Sequence, residues 1–373
     1  MSDKKKDQGR LPEWAPEKAD SKFASRVVPG VKAQDKVTTE NVRARQHQVQ
    51  YDLDHLYKGI LASDRTILAK AITLIESNSQ KHFNQAQELV RMLIPHSGNS
   101  IRIGITGVPG AGKSTFIETL GTWLIGQGHK VTVLAIDPSS SISKGSILGD
   151  KTRMEKLSRS DNSFIRPSPS SGVLGGVARK TRETIIACEA AGYDVILIET
   201  VGVGQSEVTV RSIVDFFLLL QITGAGDDLQ GIKKGIMELA DLIVVNKADG
   251  ENLTKAQSNA SEIKQVLHYL QPATKGWITT AITCSALTGH NIPEIWKIIT
   301  DFTETIKASG VFEQRRTEQN IQWLDSMLME ALSNLFFSNK ELNEHYLSLK
   351  QKVLLGETTP AVATNELIDL YKK

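Results

Sequence analysis

The stretch 107–115, GVPGAGKST, constrains this 373-residue chain more than any other. It follows a short apolar run, IRIGIT (101–106), and precedes TFIETLGTWLIGQG, whose apolar residues recur at helical spacing. Strand, glycine loop and helix in that order match G-x-x-x-x-G-K-[ST]. The loop residues Gly107, Pro109, Gly110, Ala111 and Gly112 let successive N–H groups turn inward toward phosphate oxygens. The start of the helix adds its partial positive charge. Lys113 is placed to reach the β- and γ-phosphates, Ser114 to offer its hydroxyl to Mg²⁺, and Thr115 to continue the helix. A glycine turn with an ordinary surface lysine would not need those flanks.

Further runs of the same kind follow: KVTVLAI (130–136), YDVILIE (193–199), FFLLLQI (216–222), LIVVNK (242–247) and the weaker WITTAIT (277–283). Several are continuously apolar instead of alternating, as strands buried on both faces of a parallel sheet are. Helical stretches separate them. The expected fold is α/β, a P-loop NTPase with a doubly wound, mostly parallel sheet, a helical extension before it and a helical arm after it.

The tetrapeptide NKAD (246–249) closes the run LIVV about 130 residues after the phosphate loop. At a strand end, the Asp249 carboxylate can accept from N1–H and the 2-amino group of guanine. Adenine lacks that pair of donors, and an unpaired buried carboxylate is costly. Such a site rejects the wrong base by roughly 10⁴-fold. Asn246 would brace the loop and meet the base edge, and the Lys247 stem would cover the ring. CSAL (284–287) supplies a second base contact through the backbone at Ser285 and Ala286. Cys284 has no neighbouring His and fits strand-end packing better than nucleophilic chemistry. The expected cofactors are GTP or GDP with Mg²⁺.

Acidic residues recur around the phosphate loop. YDVILIE runs into ETVG (199–202), placing Glu199 and Gly202 where many GTPases carry D-x-x-G. The acid there holds Mg²⁺ and the glycine N–H senses the γ-phosphate. Asp137 ends another strand and Asp150 lies in SILGDKTRM. Any one of them could be a solvated loop acid. Together with Ser114 they form a candidate Mg²⁺ set: Ser114, Asp137, Asp150 and Glu199. Val203 stands where many GTPases have a water-orienting Gln, so slow intrinsic hydrolysis is expected. Lys113, Asp137 and Glu199 are the candidate catalytic residues, Asp137 as the water-positioning one. Gln205 is the nearest substitute in sequence.

The flanks differ in character. Residues 1–48 are polar and interrupted by three prolines, an extended or disordered arm. Residues 49–98 form a helical extension: Asp64 can cap RTILAKAITLIESNS, and a second helix stops at Pro95, giving a helical hairpin. The GTPase domain spans 99–305, and 306–373 return to helix. There Ile321, Leu324, Leu328 and Leu332 share a stripe, which suits either a helical cap or an oligomerisation arm.

Composition narrows the partners. Lys+Arg number 44 against 42 Asp+Glu, too even for a nucleic-acid field. The densest apolar run, 213–222, contains Asp215 and is too short to cross a membrane. The N-terminus has no apolar core of a secretory signal and too many acids for a transit peptide. A cytoplasmic location is expected, or the mitochondrial matrix in a eukaryotic cell. Two cysteines and eight scattered histidines offer no nickel-holding cluster of the kind metal-inserting GTPases need.

The motifs GITGVPGAGKSTFIE (104–118), AIDPSS (135–140), GSILGDKTRM (145–154), IRPSPSSGVLGGVAR (165–179), IETVGVGQSE (198–207), GAGDDLQGIKKGIMELAD (224–241) and VNKAD (245–249) together resemble the MeaB/ArgK/MMAA GTPases. The resemblance covers roughly 52–305. It implies a homodimer built through the C-terminal helices. It also implies a chaperone that gates cobalamin loading and protects or reactivates adenosylcobalamin-dependent methylmalonyl-CoA mutase. By the same motifs, GDDLQGIKKG (226–235) is an additional switch loop, with Lys233 or Lys234 coupling the nucleotide to the partner. Lys144 replaces one of the two glycines usual before SILGDKTRM. Competing readings are a chaperone of another acyl-CoA mutase, a slow GTP-dependent scaffold, and an ArgK-type protein kinase. The guanine reader speaks against an ATP-dependent kinase.

Overall fold

The computed structural model describes residues 52–77, 79–137, 154–169, 174–200, 206–223 and 234–372. Seven strands form one sheet: β1 Ile101–Gly107, β2 Val131–Asp137, β3 Ser163–Pro169, β4 Val195–Thr200, β5 Phe216–Ile222, β6 Leu242–Asn246 and β7 Thr280–Thr283. Their order is β3-β2-β4-β1-β5-β6-β7, and every neighbouring pair is parallel. The chain winds outward from β1 to one edge, returns through β4, then builds the other edge. β1 therefore ends in the middle of the sheet, beside the point where the winding reverses, which is where open α/β sheets bind ligands.

The continuously apolar runs are the central strands. All of β4 is buried, as is β5 from Phe216 to Gln221. The sequence pattern names six strands and passes over β3. SFIRPSP carries two prolines and only two large apolar residues, a composition that a strand tolerates only at an edge. β3 is the edge, paired to β2 alone from Val131↔Ser163 to Asp137↔Pro169. Of WITTAIT, only Thr280–Thr283 joins the sheet; the Trp277 indole instead donates to the Asp241 carbonyl at 3.0 Å.

Each face of the sheet has its own core. One face packs Leu134, Ile196, Ile198 and Phe217 against helices Leu53–Leu61, Arg65–Ile75, Gln80–Leu93 and Leu174–Ala190. Among the described residues three helices precede the sheet, where the pattern suggests a hairpin. Asp64 caps the second, accepting from the Thr66 and Ile67 amides at 2.8 and 3.1 Å. Such a cap contributes about 1 kcal/mol. Burial of Leu68, Ile72, Leu74 and Ile75 contributes about 1.5–3 kcal/mol for each side chain, so the apolar face holds the helix and the cap sets where it begins. Helix Gln80–Leu93 ends just before Pro95, which cannot continue it. The opposite face packs Ile103, Ile105, Val133, Leu197 and Leu218 against helices Lys113–Gly126 and Ile292–Ala308.

At the amino ends of the strands, buried carboxylates meet arginines. Glu189 pairs with Arg102, Asp215 with Arg316, and Asp241 with Arg211. Arg316 belongs to the 28-residue helix Val311–Ser338, which Asp215 thereby clamps to the sheet. Helices Lys340–Leu354 and Pro360–Tyr371 complete the chain. Ile321, Leu324, Leu328 and Leu332 lie between 48% and 68% exposed along the long helix, an apolar stripe uncovered in the monomer.

Candidate nucleotide site

The phosphate loop is shaped by close backbone approaches. Gly107 has φ +155°, and a Cβ there would come within 2.2 Å of the Leu220 carbonyl oxygen on β5. Gly112 has φ +85°, and a Cβ would meet the Asn246 amide nitrogen at 2.8 Å. Both positions need glycine for conformation and for space. Pro109 and Gly110 form the exposed turn, and Ala111 is buried beneath it.

Lys113 begins the helix Lys113–Gly126. Its ammonium donates to the Gly107 carbonyl at 2.9 Å and lies 3.4 Å from that of Val108. The loop's own oxygens thus hold the charge until phosphate oxygens replace them. Partial burial lowers its pKa, against which the Glu199 and Glu207 carboxylates act to raise it. The Ser114 hydroxyl donates to Glu199 Oε1 at 3.2 Å. Glu199 is buried near the end of β4, so two hard oxygen donors meet beside the phosphate loop. That donor set suits Mg²⁺, which takes oxygen ligands and keeps several waters and phosphate oxygens. Among the described residues no cluster of three His, Cys, Asp or Glu could hold a metal alone. Thr115 is the exposed third residue of the helix.

The residues expected to read the base assemble on three elements. Asn246, the last residue of β6, donates through Nδ2 to the Ala111 carbonyl at 2.8 Å. Its Oδ1 accepts from the Ala286 amide at 3.0 Å and from Cys284 Sγ at 3.4 Å. One amide thus joins the phosphate loop to the 284–286 loop. The Ser285 hydroxyl donates to Asp249 Oδ2 at 2.5 Å, turning one carboxylate oxygen away from solvent. Lys247 is exposed and sits in the left-handed region at φ +60°. Burial raises the Cys284 thiol to about 12, which makes it inert packing and no nucleophile.

Asp137 is the last residue of β2. Asp150, Gly202, Val203, Gln205, Lys144 and the loop 224–233 lie outside the described residues, as does the arm 1–48. Two contacts escape the sequence pattern. Thr119, one turn and a half along the phosphate-loop helix, donates to the Ala286 carbonyl at 2.7 Å. Asn252 closes the NKAD loop from behind, donating to the Lys247 carbonyl at 2.6 Å. No motif flags either, because each contact joins a polar side chain to a backbone carbonyl, which any residue type can supply.

Three comparisons bear on this site. Residues 68–341 match the family described as methylmalonyl-CoA mutase-associated GTPase MeaB. A probable GTPase of Mycobacterium tuberculosis is 48% identical over 318 residues, covering 85% of this chain and 95% of that protein. The mitochondrial methylmalonic aciduria type A homolog of Mus musculus is 43% identical over 330 residues, 86% of this chain and 80% of that one. A crystal structure described as a LAO/AO transport system kinase superposes with a TM-score of 0.70 at 39% identity, covering 86% of this chain and 98% of the other.

Proposed function

Since this chain belongs to the family of methylmalonyl-CoA mutase-associated GTPases, we propose that it binds and hydrolyses GTP as a chaperone of adenosylcobalamin-dependent methylmalonyl-CoA mutase. In this reading it gates cobalamin loading and protects or reactivates the mutase. The observation that carries the nucleotide half is the Asn246 amide, which ties the phosphate loop to the base loop in one hydrogen-bonded unit. Family membership carries the partner half.

In the site, the loop amides and Lys113 hold the phosphates and offset the charge that grows on them in the transition state. Ser114 and Glu199 would hold Mg²⁺, directly or through water, with Asp137 and Asp150 contributing. The metal's part is to neutralise the phosphate oxygens. Gly202 would sense the γ-phosphate and Asp137 would position the attacking water. Asp249 reads guanine, with Ser285 and Ala286 completing the base pocket. The loops 137–154, 199–207 and 224–235 would switch with the γ-phosphate. The uncovered stripe on Val311–Ser338 supports a homodimer through the C-terminal arm. No helix among the described residues is long and apolar enough to cross a membrane, and a cytoplasmic location is proposed. The relative in mouse is mitochondrial by name.

The deciding experiment is GTP turnover by the purified protein, alone and with methylmalonyl-CoA mutase, with ATP as control. Slow hydrolysis of GTP that the mutase accelerates, with ATP inert, is expected. Turnover indifferent to that mutase would move the client to another acyl-CoA mutase. Transfer of ATP phosphate to a protein would establish the kinase reading instead.

A further inference from the structure

The base loop is held from behind by a side chain that no motif includes. Asn252 follows NKAD by three residues and makes three hydrogen bonds. Its amide Nδ2 donates to the Lys247 carbonyl at 2.6 Å, its backbone N–H donates to the Asp249 carbonyl at 3.0 Å, and its Oδ1 accepts from the Thr223 hydroxyl at 2.6 Å. The orientation of the amide is set by chemistry: a carbonyl can only accept, so the nitrogen must face Lys247 and the oxygen is left for Thr223. Thr223 directly follows β5, whose Ile222 lies in register with Asn246. The side chain therefore spans from the end of one strand to the turn that leaves the next.

That turn is where the base reader is aimed. Lys247 occupies the left-handed region, which a lysine rarely adopts without support. The Ala248 amide is tied on the other side to the Cys284 carbonyl at 2.9 Å. The next residue, Asp249, presents one carboxylate oxygen to Ser285. Asn252 thus closes a ring from Lys247 to Asp249, and the direction of the carboxylate depends on it.

We propose that Asn252, buttressed by Thr223, is a positioning residue for guanine selection, holding the Lys247 turn so that Asp249 meets the base edge in register. The proposal rests on the reading of Asp249 as the guanine reader. It distinguishes two kinds of loss. A misaimed carboxylate forfeits contacts to the base edge in proportion to how many that base offers. A loosened domain forfeits affinity for every nucleotide alike.

The test compares binding of GDP, inosine diphosphate and ADP to wild type, Asn252→Asp and Thr223→Val by titration calorimetry. Inosine keeps N1–H and lacks the 2-amino group, so Asp249 has one bond fewer to lose. Asn252→Asp preserves size and the acceptor for Thr223 but sets a carboxylate oxygen against the Lys247 carbonyl. GDP is expected to weaken about tenfold, the equivalent of one well-placed hydrogen bond, and inosine diphosphate about threefold. The preference for guanine over inosine then shrinks about threefold. Thr223→Val, which leaves the Lys247 bond in place, should shift the ratio in the same direction by less, and it decides the matter should the Asp variant not fold. An unchanged ratio, with both ligands unaffected or both weakened equally, overturns the proposal. A wild type that does not prefer GDP to inosine diphosphate would overturn the reading of Asp249 itself.

Discussion

Replacing Arg316 by Met isolates what the buried clamp on the C-terminal helix is worth. The Asp215 side chain is 1% exposed and that of Arg316 14%. The guanidinium forks onto both carboxylate oxygens, Nε to Oδ1 at 2.9 Å and Nη2 to Oδ2 at 2.7 Å. It also donates to the carbonyls of Gly98 and Ser100. In the variant, Oδ2 keeps the Arg102 amide at 2.9 Å, while Oδ1 loses the guanidinium. The Arg102 guanidinium does not step in, because it is bound in its own fork to Glu189. Met keeps most of the stem volume over the Phe312 ring, which the guanidinium carbon now overlies at 4.3 Å. The dominant loss is thus an uncompensated buried carboxylate, about 3–5 kcal/mol when one partner is removed. Set against a total of about 5–15 kcal/mol for a native protein, that is a large fraction. Urea unfolding followed by circular dichroism measures it. The double variant Asp215→Asn with Arg316→Met should recover at least half, since a neutral amide removes the charge burial. A single-variant loss below about 1 kcal/mol would refute the premise that the pair is desolvated.

Other consequences can be checked directly. Lys113 has a lowered pKa in the free protein and, in its proposed role of holding phosphate, must be protonated, so binding takes up a proton once pH passes that value. GDP affinity should fall as pH rises through it, and Lys113→Met should bind weakly without that alkaline dependence, both by titration calorimetry. Cys188 and Cys284 are fully buried with thiols pushed up to about 12, so neither should react with Ellman's reagent at neutral pH until denaturant exposes two thiols per chain. Leu328→Glu places a charge in the stripe of Val311–Ser338; sedimentation should report a monomer that still binds GDP, and a dimer would remove that face from the interface.

The parts of the site that were legible in the sequence are those whose chemistry is local. A phosphate loop needs glycines, a lysine and a hydroxyl within nine residues, because its ligand is cradled by consecutive amides. The central strands are legible because burial on both faces forces continuous apolar runs. β3 is obscured for the opposite reason: an edge strand answers to one neighbour only, so prolines and serines are admitted. Thr119 bonds a backbone carbonyl far away in sequence, Thr223 reaches the Asn252 side chain 29 residues on, and Asn252 bonds back to Lys247 only because the turn folds over it; no residue type at these positions marks the contact in advance. Asp215 shows the same limit from another side. In the sequence it is the charge that interrupts an apolar run; in the fold it is the anchor of a helix that begins about a hundred residues later.

In the proposed site, the position of Asn246 makes phosphate and base recognition parts of one device. β1 and β6 are not neighbours; β5 lies between them. The phosphate loop leaves β1 at Gly107, which pairs with Leu220 of β5 so closely that no Cβ is tolerated, and crosses beyond β5 toward β6. That crossing brings the Ala111 carbonyl to the Asn246 amide, whose other end holds Ala286. Thr119 holds the same Ala286 residue from the phosphate-loop helix. Movement of the loop on losing a phosphate would therefore pull on the base pocket through two paths, one by way of the strand end and one by way of the helix. An alanine at 246 would cut the first path while Thr119 keeps the second. For this arrangement, the coupling between phosphate number and base affinity should weaken without vanishing, seen as a smaller gap between GMP and GDP affinities than in wild type.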